Sequence, residues 1–187
     1  MRLRRRHLAV FVLLLAIAGC AAQKPRQREP HSHGLFGPVI VKTPAKTRIY
    51  ELHGHVGPYV VLGYRAGLLG RRLLDSPGYF DLSARVECPL APPPSCFIDG
   101  VQLGAGCTVG KRNLTVAAAA ACRVLFTSEK RRRSVAIALA PGVPARIKER
   151  IGAIGVERTG ALFFELPEAE LFVIERRPAT PASRPGR

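Results

Sequence analysis

Two short stretches carry side chains able to do chemistry near neutral pH. In "ELHGHVGPY", His53 and His55 are two positions apart. In an extended backbone such positions face the same side. Gly54 between them adds no bulk, and Gly57, preceding Pro58, is steered away from helical geometry. Both imidazoles are therefore expected to converge just ahead of a helix. In "PPPSCFIDGVQLGAGCTVGKRNL", Cys96 and Cys107 flank Asp99. The prolines cannot lie inside a helix, Ser95 reads as an N-cap, and Cys96 then opens a helix. A thiol there feels the helix dipole, which favours thiolate. Cys107, with Lys111 and Arg112 close by, is expected to be thiolate too. Asp99 shares a helix face with Cys96. It reads as a direct ligand, as an acceptor from a histidine N–H, or as an ordinary first-turn aspartate interacting with the dipole.

Two imidazoles and two thiolates are the donors zinc takes in tetrahedral sites. The spacing is not that of a zinc finger. The rival is a disulfide framework. Apart from Cys20 there are four cysteines, Cys88, Cys96, Cys107 and Cys122, which allow three pairings; a Cys96–Cys107 bond is the structural alternative. Cys122 lies in an apolar run and also reads as buried filler. "GAGCTVGK" is no phosphate loop: Ala105 stands where the first glycine is required, and Arg112 replaces the magnesium-binding hydroxyl. The glycines read as places of tight turning or close approach.

The compartment decides between these readings, because disulfides persist outside the cytosol. Residues 1–19 hold four arginines, an apolar Leu8–Ala18 core and then small residues up to Cys20. The core is short of the roughly 20 residues of a membrane span, and the segment reads as an export signal. "IAGC" resembles a bacterial lipobox, with Cys20 as the lipidated residue. The expected product is anchored to a membrane by lipid and lies in the bacterial cell envelope, on its periplasmic or extracytoplasmic face. The formal charge is +16. An exported chain seldom meets nucleic acid, and without tryptophan and with few aromatics it offers no stacking platform. An anionic envelope surface is the expected partner, with a plain solvated basic surface as the alternative.

Behind the signal, residues 20–36 are polar and rich in proline and charge, a flexible tether. Residues 178–187 read as a disordered tail. Residues 37–177 have the size of one domain. In it, "PYVVLGYRAGLLGRRLL" reads as a helix with Pro58 in its first turn. Gly63 and Gly67, four apart on it, each cost about 1 kcal/mol relative to alanine; close approach by another element, within the domain or across a dimer, is the expected reason. "LSARVEC" alternates as a strand. "CRVLFTS" and "SVAIALA" read as a hairpin around a basic turn. "VPARIKERIGAI" reads as a helix and "AELFVIERR" as a strand or short helix. The order is not a strict βαβ repeat, so the fold class is α+β: a single domain with a mixed or antiparallel sheet packed against helices.

"HGHVGPYVVLGYRAGLL" followed by "PPPSCFIDGVQLGAGCTVGKRNL" resembles FmdE, the family of the formylmethanofuran dehydrogenase E subunit, over most of residues 51–115. The resemblance implies an α+β core, often dimeric, with a metal site. By position it implies His53, His55, Cys96 and Cys107 as metal-site residues, with Asp99, Lys111 and Asn113 lining the pocket. The C-terminal zinc finger of some members has no counterpart, since no cysteine follows Cys122. An exported protein has no access to the cytoplasmic one-carbon pathway that named the family, so that pathway is not inherited with the fold. The expected function is that of an exported, lipid-anchored FmdE-like domain binding a divalent transition metal, zinc above all. The alternatives are a metal- or thiol-dependent enzyme with one-carbon or redox chemistry, and a structural domain stapled by Cys96–Cys107.

Overall fold

The computed structural model describes residues 44–178. The expected signal, Cys20, the tether and the tail beyond Pro178 lie outside the described residues.

The order of elements is α1 (Ala45–His53), α2 (Pro58–Leu73), β1 (Ser83–Cys88), α3 (Cys96–Ala105), β2 (Leu114–Ala118), β3 (Arg123–Ser128), β4 (Arg133–Leu139), α4 (Val143–Ile154), α5 (Val156–Glu165), α6 (Glu168–Leu171) and β5 (Phe172–Pro178). The five strands form one mixed sheet in the order β2-β1-β3-β4-β5. β1 and β2 are parallel, and the other neighbours are antiparallel. The architecture is α+β, with the sheet packed against helices.

Strand alternation decides which face is buried. Ala84, Val86 and Cys88 of β1, Val124 and Phe126 of β3, and Val135 and Ile137 of β4 are all buried. The opposite face carries Arg85, Glu87 and Arg123, where Arg123 bridges to Glu87 at 3.3 Å. α2 lies against the buried face, so close at Gly70 that a Cβ would strike the Phe126 ring.

α3 is the crossover between the parallel strands β1 and β2, which a tight turn cannot join. It packs on α2 through four glycines. A Cβ on Gly63 would collide with the Phe97 carbonyl, and one on Gly67 would lie 2.5 Å from the Ala105 nitrogen. From the other side, Gly100 abuts the Val60 carbonyl and Gly104 that of Tyr64. The backbone contact expected at Gly63 and Gly67 is thus made inside the domain, by a matching pair four residues apart on α3. α2 is consequently buried nearly all round, with Val60, Val61, Leu62 and Ala66 fully enclosed.

Three elements have no counterpart in the expected plan. "TRIYEL" lies in helix α1 and buries only Ile49. "LTVAA" is the edge strand β2, and most of its residues are open to solvent, so no alternation marks it. α5 follows α4 after Gly155 and is tied to α2 by Arg65 Nη1, which donates to the Phe163 carbonyl at 2.6 Å. "AELFVIERR" proves to be both of the expected things, the single turn α6 running into β5.

Candidate functional site

His53 is the last residue of α1. Gly54 follows in the left-handed region, φ 78°, and its N–H caps the helix by donating to Tyr50 O at 2.8 Å. Glycine adopts that conformation without the steric penalty a Cβ brings. The chain reverses there, and the rings of His53 and His55 come to lie 4.6 Å apart between centroids. The two imidazoles converge as expected, but through a capped helix end and not through an extended strand.

Asp99 sits on the first turn of α3 and reaches back to α1. His53 Nδ1 lies 2.8 Å from Asp99 Oδ2. With Nδ1 donating to the carboxylate, the neutral ring keeps its free lone pair on Nε2. That Nε2 is buried and has no hydrogen-bond partner. An orphaned buried acceptor costs free energy, so its retention points to a ligand. A carboxylate behind a histidine is also the usual support of a metal-binding imidazole. His55 and Cys96 line a common, half-open cavity of about 200 Å³ together with Tyr59, Pro93, Ile151 and Val156. Gly57 also lines it and leaves room for the imidazole: a Cβ there would lie 3.0 Å from His55 Nε2.

The structure therefore gathers His53, His55, Asp99 and Cys96 at the junction of α1, α2 and the start of α3. It does not bring Cys107 to them. Cys107 follows the far end of α3, and a ten-residue helix spans about 15 Å. Its buried thiol donates to Leu82 O at 3.4 Å. Among the described residues, no three His, Cys, Asp or Glu side chains stand at ligating spacing. The four-donor set with Cys107 is corrected accordingly.

Lys111 and Asn113 also leave the expected pocket. Lys111 Nζ lies 5.3 Å from the Tyr79 ring centroid and 5.5 Å from that of Phe80. Asn113 is a backbone clip. Its Nδ2 donates to Tyr79 O at 2.6 Å and Leu82 O at 2.9 Å, while its Oδ1 accepts from Thr108 N at 3.0 Å.

The thiolate expectation is overturned as well. Burial pushes the Cys107 thiol up to about 11, against the opposing pull of Lys111. Cys96 is raised by burial and then by the Asp99 charge, with a backbone hydrogen bond working the other way. Ser95 makes no capping hydrogen bond, and its backbone is already helical, so the extended entry an N-cap needs is missing. Desolvation outweighs the helix dipole at Cys96 and the Lys111 charge at Cys107. All four described cysteines are free, and Cys96 and Cys107, at opposite ends of α3, cannot form the alternative disulfide staple. Sequence reasoning missed Gly57, Ile151 and Val156 as cavity-lining residues, because nothing in their spacing links α4 and α5 to the histidines.

Fold and sequence agree on the class. The family model described as "FmdE, Molybdenum formylmethanofuran dehydrogenase operon" matches residues 52–170. The chain belongs to the FmdE family. Its fold resembles that of a crystal structure from Syntrophus aciditrophicus, of a protein like the E subunit (FmdE) of tungsten formylmethanofuran dehydrogenase. That likeness has a TM-score of 0.51 and 21% identity, and it covers 72% of this chain and 71% of the other. A "Probable S-adenosyl-L-methionine-binding protein" of Archaeoglobus fulgidus is 38% identical over 74 residues, 36% of this chain. The chain spans only 19% of that relative's length.

Proposed function

We propose that this FmdE-family domain binds a divalent transition metal, zinc first among them, in the bacterial cell envelope. The observation that carries the reading is the buried, unpartnered Nε2 of His53, whose opposite nitrogen is held by Asp99. His53 would hold the cation through Nε2, and His55 and Cys96, which do not stand at ligating spacing in the free chain, would have to close onto it as the neighbouring donors. Nitrogen and sulfur together suit zinc. Three protein donors would leave a coordination position open, and a cation so held supplies Lewis-acid chemistry. The chain's own part is to orient His53 through Asp99 and to give the site an apolar wall of Tyr59, Ile151 and Val156. A thiol-based enzyme built on Cys107 is disfavoured, because burial pushes that thiol up to about 11. The test is zinc uptake by the purified chain, read by elemental analysis and by competition with a coloured chelator. One equivalent of zinc, lost on changing His53 to alanine, supports the reading; no uptake at micromolar free zinc ends it.

Anchoring through a lipidated Cys20 belongs to the same proposal, as does an anionic envelope surface as partner. No described helix is long and apolar enough to cross a membrane. Support for a surface partner comes from two neighbouring turns. Phe80 is 81% exposed and Val109 63% exposed, with Arg71 and Lys111 stacked over Tyr79 beside them. Exposed apolar tips ringed by cations suit an anionic interface. Co-sedimentation with phosphatidylglycerol vesicles but not phosphatidylcholine vesicles, lost in Phe80→Ser/Lys111→Glu, is the expected outcome. A homodimer is likewise proposed, with Tyr50 and Leu52, both more than half exposed on α1, as its apolar contact; analytical ultracentrifugation of the chain with Leu52→Asp checks it.

A further inference from the structure

Cys88 and Cys122 play no part in the candidate site, yet the sheet sets them against one another. β1 and β3 are antiparallel, with Val86 opposite Val124 and Glu87 opposite Arg123. One more residue along that register places Cys88 opposite Cys122. Alternation puts both on the same face as Val86 and Val124, and both are buried, at 0% and 4% exposure. Their backbone groups turn away from each other. The Cys88 carbonyl accepts from Ala119 N at 3.0 Å, and the Cys122 carbonyl accepts from Leu139 N of β4 at 3.0 Å. This is therefore a non-hydrogen-bonded cross-strand pair, the class in which side chains lie closest and Cα atoms stand roughly 4.5 Å apart. A disulfide needs Cα atoms about 4.4–6.8 Å apart with Cβ atoms on one side.

We propose that Cys88 and Cys122 are a disulfide-forming pair, closed as the chain folds in an oxidising compartment. Each thiol gives up a proton, and the pair gives up two electrons to an external disulfide, of glutathione or of a thiol–disulfide oxidoreductase. A bond forms between the two Sγ atoms, and the oxidant leaves as two thiols. The closed loop contains α3 and β2, and so carries Cys96 and Asp99. The bond fixes that half of the candidate site to the sheet. It also leaves Cys96 and Cys107 as thiols, too far apart to pair. In the folded reduced chain, burial and then the neighbouring Cys88 charge push Cys122 up to about 12, so exchange is slow once the core has closed. The bond forms early in folding and is sheltered afterwards.

The inference stands apart from the metal reading, since it uses neither histidine nor Cys96. The test is to refold the full chain with a reduced and oxidised glutathione mixture, alkylate it under denaturing conditions without reductant, and map all five cysteines by peptide mass spectrometry. The expected product is a Cys88–Cys122 linked peptide with Cys96 and Cys107 alkylated. Its melting temperature should exceed that of the reduced chain by about 5 °C or more. Cys96→Ser/Cys107→Ser retains the link, and Cys122→Ser abolishes it. Alkylation of both Cys88 and Cys122 in the wild-type chain, or a link made by either one to Cys96 or Cys107, overturns the proposal. Zinc stoichiometry of the oxidised chain is read separately, so loss of metal binding and loss of the bond are distinguishable.

Discussion

His53 and Asp99 are 46 residues apart in sequence, and their side chains meet at 2.8 Å between Nδ1 and Oδ2. One ends α1 and the other lies on the first turn of α3. The contact exists because α3 rides on α2 through paired glycines, which brings its N-terminal turn beside the reversal at Gly54. The carboxylate leaves only Nε2 of His53 free to face a ligand.

Changing Asp99 to asparagine should therefore weaken zinc binding by about 10- to 100-fold, the usual effect of losing the carboxylate behind a ligating histidine. Chelator competition measures it. Unchanged far-UV circular dichroism would show that the loss is local.

The two thiols flanking α3 should separate cleanly. Cys96→Ser is expected to lower zinc affinity by about 10-fold or more, since Cys96 shares a cavity with His55. Cys107→Ser should leave the affinity within about twofold. Its effect should be on stability, by about 1–2 kcal/mol, because a better-solvated hydroxyl replaces a thiol in a fully buried position. Urea unfolding and zinc titration of the same preparations check both.

Alanine at Gly100 should be among the most damaging single methyl additions in the chain. Its Cβ would meet the Val60 carbonyl and lie 2.5 Å from the Tyr64 nitrogen, and backbone atoms cannot swing aside. Forced separation of α2 and α3 is expected to cost about 2 kcal/mol or more. Zinc affinity should fall with it, because the same separation moves Asp99 from His53. Gly152→Ala, where a Cβ meets nothing, is the matched control and should be neutral or slightly stabilising.

The reduced chain should lose stability in alkali. Burial raises Cys122 from an ordinary value near 9 to about 12 and Cys107 to about 11. A thiol held protonated by the fold contributes stability that is fully present below the ordinary value and is lost as pH rises through the folded value. Urea midpoints measured with reductant should fall progressively from about pH 9 upwards. Cys122→Ala should lessen that slope.

Much of the plan was legible in the chain because its signals are local. Pro58 followed by a long apolar run announces α2; alternation announces β1; two β-branched runs around a basic turn announce the β3–β4 hairpin. β2 escaped because an exposed edge strand has no face that must be apolar. α1 escaped because it buries a single side chain. The convergence of His53 with His55 was legible from their spacing, although the backbone that achieves it was not. Asp99 as a histidine partner was among the readings its position allowed.

The residue types, their order and the glycine spacing on α2 were determined by sequence alone, since propensity and periodicity act over a few neighbours. Which thiols belong together was decided only by the tertiary structure. Cys96 and Cys107 are close in sequence but are held apart by the rigid length of α3. Cys88 and Cys122 are distant in sequence but are set side by side by the antiparallel register of β1 and β3. Helix rise and strand pairing convert chain separation into distance by different rules, and only the folded chain says which rule applies.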